Sequence, residues 1–464
     1  MVRRLIRHID WVVTLDAERR MIADGAIAIA DSRIELVGKS DEVENRFEAD
    51  ETIDGRTLIA IPGLIDTNVA TVAQLGRGAA DFCDIPKFML ERILPYEAAL
   101  SADDAAIATR ACQLEMIRSG TTCFVDAGSR HPRVVAGVAS ETGLRTLVSR
   151  ATYDAFDTIM GAFPQPFARE STDQALRRAE EAIIAVEKLG DARVRAAVAL
   201  PWLAAASDTL CRELSGLARD KQVRLVVAAA RSRDDAVASR RQHGRTEIKR
   251  LLDADALDAA TIVAHAGWTS PRDLVDLRDA GAHVACCPSM SHRLGTGSLE
   301  FGRYPELLAF GVNVTLGSGS AMASNYIDVA RQLYLFAGGA KTYRLDATAV
   351  PPETALEMAT IRGAAAIGLE REIGSLEAGK KADITMFRML AADWAPVINP
   401  VANLVFSSRG GAHTVLVDGN VLLADGRLQS LDENRTLEEA QRCAEAIMGR
   451  SGLGRFCAPQ WKIH

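Results

Sequence analysis

No long apolar run interrupts the 464 residues of this chain, so nothing in it reads as a membrane span and no membrane partner is expected. Positive charge is also in short supply. Lys and Arg number 54 against 61 Asp and Glu, and the net charge of -7 with a pI near 5.7 excludes nucleic acid as the main partner, because phosphate binding needs clustered cations. The eight cysteines include no C-x-x-C pair and no small framework to staple, which points to a reduced compartment. The start, Met1 to His8, is basic but runs into Asp10 and Trp11 instead of an apolar signal core, so the expected location is the cytoplasm. Internal repeats and low-complexity tracts are absent as well.

What is present is an ordinary globular composition, 48% hydrophobic and 25% charged with a mean hydropathy of +0.03. Strand-like alternation marks Asp10 to Leu15, Gly25 to Ile29 and Arg33 to Gly38 near one end. Lys381 to Phe387 and His413 to Val421 repeat it near the other. Between these blocks, short apolar runs alternate with capped helices, the βαβα pattern of a parallel sheet. The runs are Leu64 to Val69, Thr121 to Asp126, Arg145 to Ala151, Val194 to Leu200, Val223 to Ala229, Thr261 to His265, His283 to Cys287 and Val312 to Gly317. Capping-box-like starts at Ser101 with Asp104 and Ser171 with Gln174 are followed by stops at Gly120 and Gly190. Ser270, Pro271, Asp273 and Gly281 spell one further helix. The expected fold is α/β: a (β/α)8 TIM-like barrel over residues 59–368, a small β-sandwich domain built from 1–58 and 369–430, and a C-terminal helix and tail over 431–464.

Ordered motifs give this pattern a family likeness. Ile61-Pro62-Gly63-Leu64-Ile65-Asp66-Thr67 is followed by Leu94-Pro95-Tyr96-Glu97, Ser119-Gly120-Thr121-Thr122, Val263-Ala264-His265 and Val284-Ala285-Cys286-Cys287-Pro288-Ser289. Gly374 to Asp383 and Val417-Asp418-Gly419 complete the series. In this order they resemble the amidohydrolase superfamily, nearest in flavour to its chlorohydrolase and aminohydrolase branch of triazine hydrolases and guanine-deaminase-like enzymes, over nearly the whole chain. The resemblance implies hydrolysis of a non-peptide C–N bond in a small nitrogen-containing compound, and a homodimer.

It also implies a Zn²⁺ or Fe²⁺ held by two histidines of the first barrel strand, one each of the fifth and sixth, and an aspartate of the eighth, the ion bringing a bound water to a pKa of about 7. Carried over residue by residue, those positions hold Asn68, Ala70, Ala228, His265 and Gly319. Alanine and glycine side chains cannot ligate, and a catalytic zinc needs about three protein donors. No metal and no cofactor are therefore expected at this site. Arg231 stands where the family's proton-transfer glutamate is implied. Either it supplies the positive charge of an anion-binding pocket, or it points to a neighbouring acid such as Asp234 or Asp235.

Catalysis without the metal needs another group. The catalytic candidates are His265, Cys287 as a thiolate, with Cys286 competing for that place, and Asp66 as a base. For Cys287 the alternative is an inert core thiol, and for Asp66 a structural role. Asn68, Arg231, His292, Ser318, Trp202 and His131 are the candidate binding residues around a small, possibly anionic ligand; Ser318 lacks the Gly-x-Ser-x-Gly context of a nucleophile. The loops at 151–171 and 201–208 carry no group diagnostic of a substrate. The expectation is a metal-independent amidohydrolase-like enzyme, the alternative an inactive relative that binds a small molecule or a partner subunit.

Overall fold

Strand alternation at the two ends and the βα pattern between them resolve into separate sheets in the computed structural model, which describes residues 2–81, 83–155, 170–457 and 461. The N-terminal block supplies β1 (Arg3–Val13), β2 (Met21–Ala30), β3 (Arg33–Lys39), β4 (Glu51–Asp54) and β5 (Leu58–Pro62). The middle supplies β6 (Leu64–Val69), β7 (Thr121–Asp126), β8 (Arg145–Ala151), β9 (Val194–Leu200), β10 (Arg224–Ala229), β11 (Thr261–His265), β12 (His283–Cys286) and β13 (Asn313–Leu316). The C-terminal block adds β14 (Ile384–Arg388), β15 (Thr414–Val417), β16 (Asn420–Ala424) and β17 (Arg427–Leu428).

Both chain ends share one mixed sheet, ordered β17-β16-β15-β14-β5-β1-β2-β3, with β4 paired to β1. Its joint is β5, which runs parallel to β1, with Trp11 beside Ile59, and antiparallel to β14, with Ile384 opposite Pro62. Ile6, Ile9, Ile27, Ile384 and Met386 are fully buried between these strands, and that apolar burial holds the two ends of the chain together. β1 begins at Arg3, well before Asp10, because Arg4 and Leu5 find backbone partners in both β2 and β4.

β6 to β13 lie side by side in sequence order, all parallel, as a barrel. The ring closes where Val69 bridges Gly319, and Gly319 N–H donates to the Asn68 carbonyl at 2.8 Å. Thr67 Oγ1 and Thr315 Oγ1 add a hydrogen bond of 2.7 Å across the same seam. Close approach depends on Gly317, where a Cβ would fall 2.9 Å from the Asn68 backbone nitrogen. Capping boxes form at Ser101 with Asp104, Ser171 with Gln174 and Ser270 with Asp273, each fixing the entry of a helix behind its strand. The helix from Thr172 ends at Glu187, before Gly190, where the bonding tightens: Leu189 and Gly190 N–H reach back three residues, to the Val186 and Glu187 carbonyls. β12 ends at Cys286, since Pro288 opens a helix and leaves Cys287 as its N-cap. Among the described residues no helix is long and apolar enough to cross a membrane.

Candidate functional site

Period-two alternation along β6 sends Asp66, Asn68 and Ala70 to the inside of the barrel. Asn68 and Ala70 meet Ala228 of β10, His265 of β11 and Gly319 beyond β13 around a cavity of about 80 Å³ at the C-terminal mouth, the end where barrel enzymes place their chemistry. Its outer wall comes from the segment after β6: Phe88, Met89, Ile93 and Glu97. Tyr153 and Met290 complete it.

The loops under this mouth are bent sharply. Ala230, His265 and Ala266 have φ of 50°, 73° and 48°, a left-handed backbone that costs an L-residue roughly 1–3 kcal/mol. That bend lets Gly267 and Trp268 N–H both reach the Ala230 carbonyl at 2.9 Å, and Tyr304 Oη donates to the His265 carbonyl at 2.6 Å. The His265 ring is held at the cavity in consequence. Burial, with the Arg231 guanidinium as a second cause, pushes its pKa down to about 3, so the imidazole is neutral at pH 7.

Asp66 lies buried beneath Asn68 and accepts from Ser318 N–H at 3.1 Å, from Ser318 Oγ, and from Asn68 N–H at 3.2 Å. Burial pushes its pKa up to about 7 against those hydrogen bonds. Ser318 is thereby spent on Asp66. Asn68 Nδ2 donates to Cys287 Sγ at 3.3 Å. The Cys287 thiol is buried and pushed up to about 12, with the Asp66 carboxyl adding to the push, which leaves it protonated. Burial pushes the Cys286 thiol up as well, and its contact is Tyr304.

Arg231 sits behind the cavity wall. Its Nε donates to Asp235 Oδ2 at 3.2 Å, with both side chains buried, while Asp234 stays exposed. Trp202 Nε1 points to the other oxygen of Asp235 at 3.5 Å, and the guanidinium lies 5.6 Å from the Trp202 ring centroid. Trp202 and Arg231 form one buried cluster with Asp235. His131 and His292 do not join the cavity lining. His131 precedes the helix Pro132–Thr142 and lies 3.3 Å from the Leu100 carbonyl, whereas His292 is exposed on the helix Pro288–Leu294, whose Met290 takes the inward place. Of the expected loop signals, residues 156–169 lie outside the described residues.

Glu97 is an ionisable side chain at the cavity that the sequence pattern did not single out, although it stands in a quoted motif. Its Oε2 is buried without a hydrogen-bond partner among the described residues, and burial raises its pKa to about 7. A carboxylate amid Ile93, Leu94 and Tyr96 was the available signal.

A divalent ion does not fit these residues. The donors at the family's positions reduce to the His265 ring and the Asn68 amide, and Asn68 Nδ2 is turned to Cys287. Position 319 has φ of 77°, and a Cβ there would meet Met290 Sδ at 3.3 Å, so no carboxylate is accommodated without strain. Among the described residues no group of three or more His, Cys, Asp or Glu is arranged to hold a metal.

Comparison with known proteins agrees with the scaffold. The model of the Amidohydrolase family matches residues 59–422. A 5-methylthioadenosine/S-adenosylhomocysteine deaminase of Moorella thermoacetica is 31% identical over 416 residues, covering 89% of this chain and 92% of the relative. A 5'-deoxyadenosine deaminase of Methanosarcina mazei is 28% identical, covering 95% and 97%. Among solved structures, a zinc-bound adenosine deaminase from Xanthomonas campestris superposes with a TM-score of 0.88 at 24% identity, covering 97% of this chain and 99% of the other. A zinc complex of atrazine chlorohydrolase from Arthrobacter aurescens gives 0.86 at 23%, covering 95% and 100%. With its barrel, its shared terminal sheet and its motifs in order, the chain belongs to the amidohydrolase family.

Proposed function

We propose that the barrel mouth binds a small nitrogen heterocycle of the nucleoside class and that a C–N bond of this compound is hydrolysed there without a divalent metal. The observation that carries the reading is the contrast at the mouth: the cavity is kept, while Ala70, Ala228 and Gly319 line it where the family places donors. The ligand class is supported by the relatives, which are deaminases of adenosine-type compounds. Two groups are free to address such a ring. Glu97 is poised between its acid and base forms near neutral pH, and the neutral His265 ring can accept or donate one hydrogen bond.

The test is ammonia release from adenosine, 5'-deoxyadenosine and 5-methylthioadenosine by chelator-treated protein, with binding followed by calorimetry. Release that survives chelation is the expected result. Turnover that appears only when zinc is added would overturn the metal-independent part, and absence of both turnover and binding would overturn the whole. One observation favours a second reading, a binder without turnover: Cys287 is protonated and Asp66 is tied to Ser318, so neither presents an activated nucleophile or a free base. Saturable binding without ammonia release selects that reading.

A further inference from the structure

We infer that Arg231 makes this pocket select an oxo heterocycle over its amino counterpart. The inference rests on the proposed binding of a nucleoside-class ring and names the form of that ring which fits.

The guanidinium is buried, permanently charged and able only to donate. Nε is used on Asp235, and Nη1 faces Met89 Sδ at 3.3 Å. Nη2 is buried with no hydrogen-bond partner among the described residues. A buried charged donor left unpaired is costly, so it marks a place where an acceptor is missing. The neighbouring carboxylates do not fill it. Asp235 is shared with Trp202, and Glu247 accepts from Ala230 N–H.

Met89 touches Arg231 Nη1 and also lines the pocket, so its thioether stands between that face of the guanidinium and the cavity. A thioether on three rotatable bonds moves aside with little cost, which gives a ligand access to the guanidinium. An exocyclic amine presents N–H groups to a donor and gains nothing there, whereas a ring carbonyl presents lone pairs. Where the family implies a glutamate that accepts and moves protons, this chain has a group of the opposite hydrogen-bonding sense. In deamination the C–N bond is replaced by a bond to water's oxygen, which becomes the carbonyl as ammonia leaves. The Arg231 donor therefore favours the hydrolysed form whether or not this chain performs the hydrolysis.

The experiment is calorimetric titration of the wild-type chain, Arg231→Gln, Arg231→Lys and the double variant Arg231→Gln with Asp235→Asn, each with inosine and with adenosine, while ammonia release is monitored. Wild type is expected to bind inosine at least about tenfold more tightly, the scale of one hydrogen bond to a charged group. The ratio should fall to near one in both Gln variants and survive in part in the Lys variant. The double variant removes both buried charges, so it keeps the test open if the single Gln variant unfolds. Adenosine binding as tight as inosine in wild type, or a ratio unchanged in the Gln variants, would overturn the inference and leave nucleoside binding standing. Failure of both nucleosides to bind wild type would overturn the two together.

Discussion

The closing seam of the barrel, β6 against β13, and the β10–β11 side of the mouth both carry non-ligating side chains where the family resemblance implies donors, and the two are built in opposite ways. At the seam, the place of an aspartate is taken by Gly319 in a left-handed turn, and the polar groups left behind satisfy one another: Ser318 with Asp66, Thr67 with Thr315, Asn68 with Cys287. The result is closed. On the opposite side, Ala228 offers no donor, and a buried ion pair, Arg231 with Asp235, lies behind the cavity wall with one donor unsatisfied. The seam spends its polar groups on one another, whereas the β10–β11 side keeps a buried charged donor unspent.

The sharpest way to break that contrast is at the ion pair. Removing one partner of a buried pair strands the other charge, and Arg231→Gln is expected to cost about 3–5 kcal/mol of stability in urea unfolding. Arg231→Gln with Asp235→Asn should recover at least half of that loss, because no buried charge remains without a partner. Costs that simply add in the double variant would show that the two side chains do not act as a pair.

The seam should respond differently. Asp66→Ala leaves the Ser318 and Asn68 N–H groups buried without acceptors, a loss of roughly 2–3 kcal/mol in the same measurement. Its effect on the inosine to adenosine ratio should be absent in the folded protein. A changed ratio would place Asp66 in ligand selection and erase the distinction between the two regions.

The barrel was legible in the sequence because each strand is a short apolar run closed by a cap or a glycine; the runs from Leu64, Thr121, Arg145, Val194 and Thr261 begin and end where the strands do. That Ala70, Ala228 and Gly319 meet at the mouth was legible for a similar reason, since they fall at fixed places relative to strand ends. Side-chain direction was not. Whether Cys286 or Cys287 faces the mouth depends on the turn that Pro288 forces, and His292 is carried outward by the helix that starts there. Of the two readings of Arg231, the structure shows the contact with Asp235 and, beside it, an unspent Nη2 that no residue spacing could reveal. Glu97 was hidden by a π-helical turn over Phe88–Ile93, which shifts the register of the following helix away from the 3.6-residue pattern.

Glu97 offers the smallest and most selective perturbation, since it belongs to neither region and faces the cavity between them. In the folded chain its pKa is raised from 4.5 to about 7, so the native state holds a proton that the unfolded chain releases first. Stability contributed by that proton is complete below about pH 4.5, falls as pH rises towards 7, and is absent above it, the direction required when the native state binds more protons than the unfolded one. His265 works the other way, because its pKa of about 3 makes the folded chain reluctant to take up a proton that the unfolded one accepts, and stability from this group grows with pH up to about 6.5. Glu97→Gln removes only the first of these. Its melting temperature should match wild type near pH 4.5 and exceed it by a few degrees at pH 8, with the difference opening between those values. A difference independent of pH would mean that Glu97 is ionised in the folded protein, and the carboxyl facing the cavity would then be a fixed anion instead of a group poised to donate or accept.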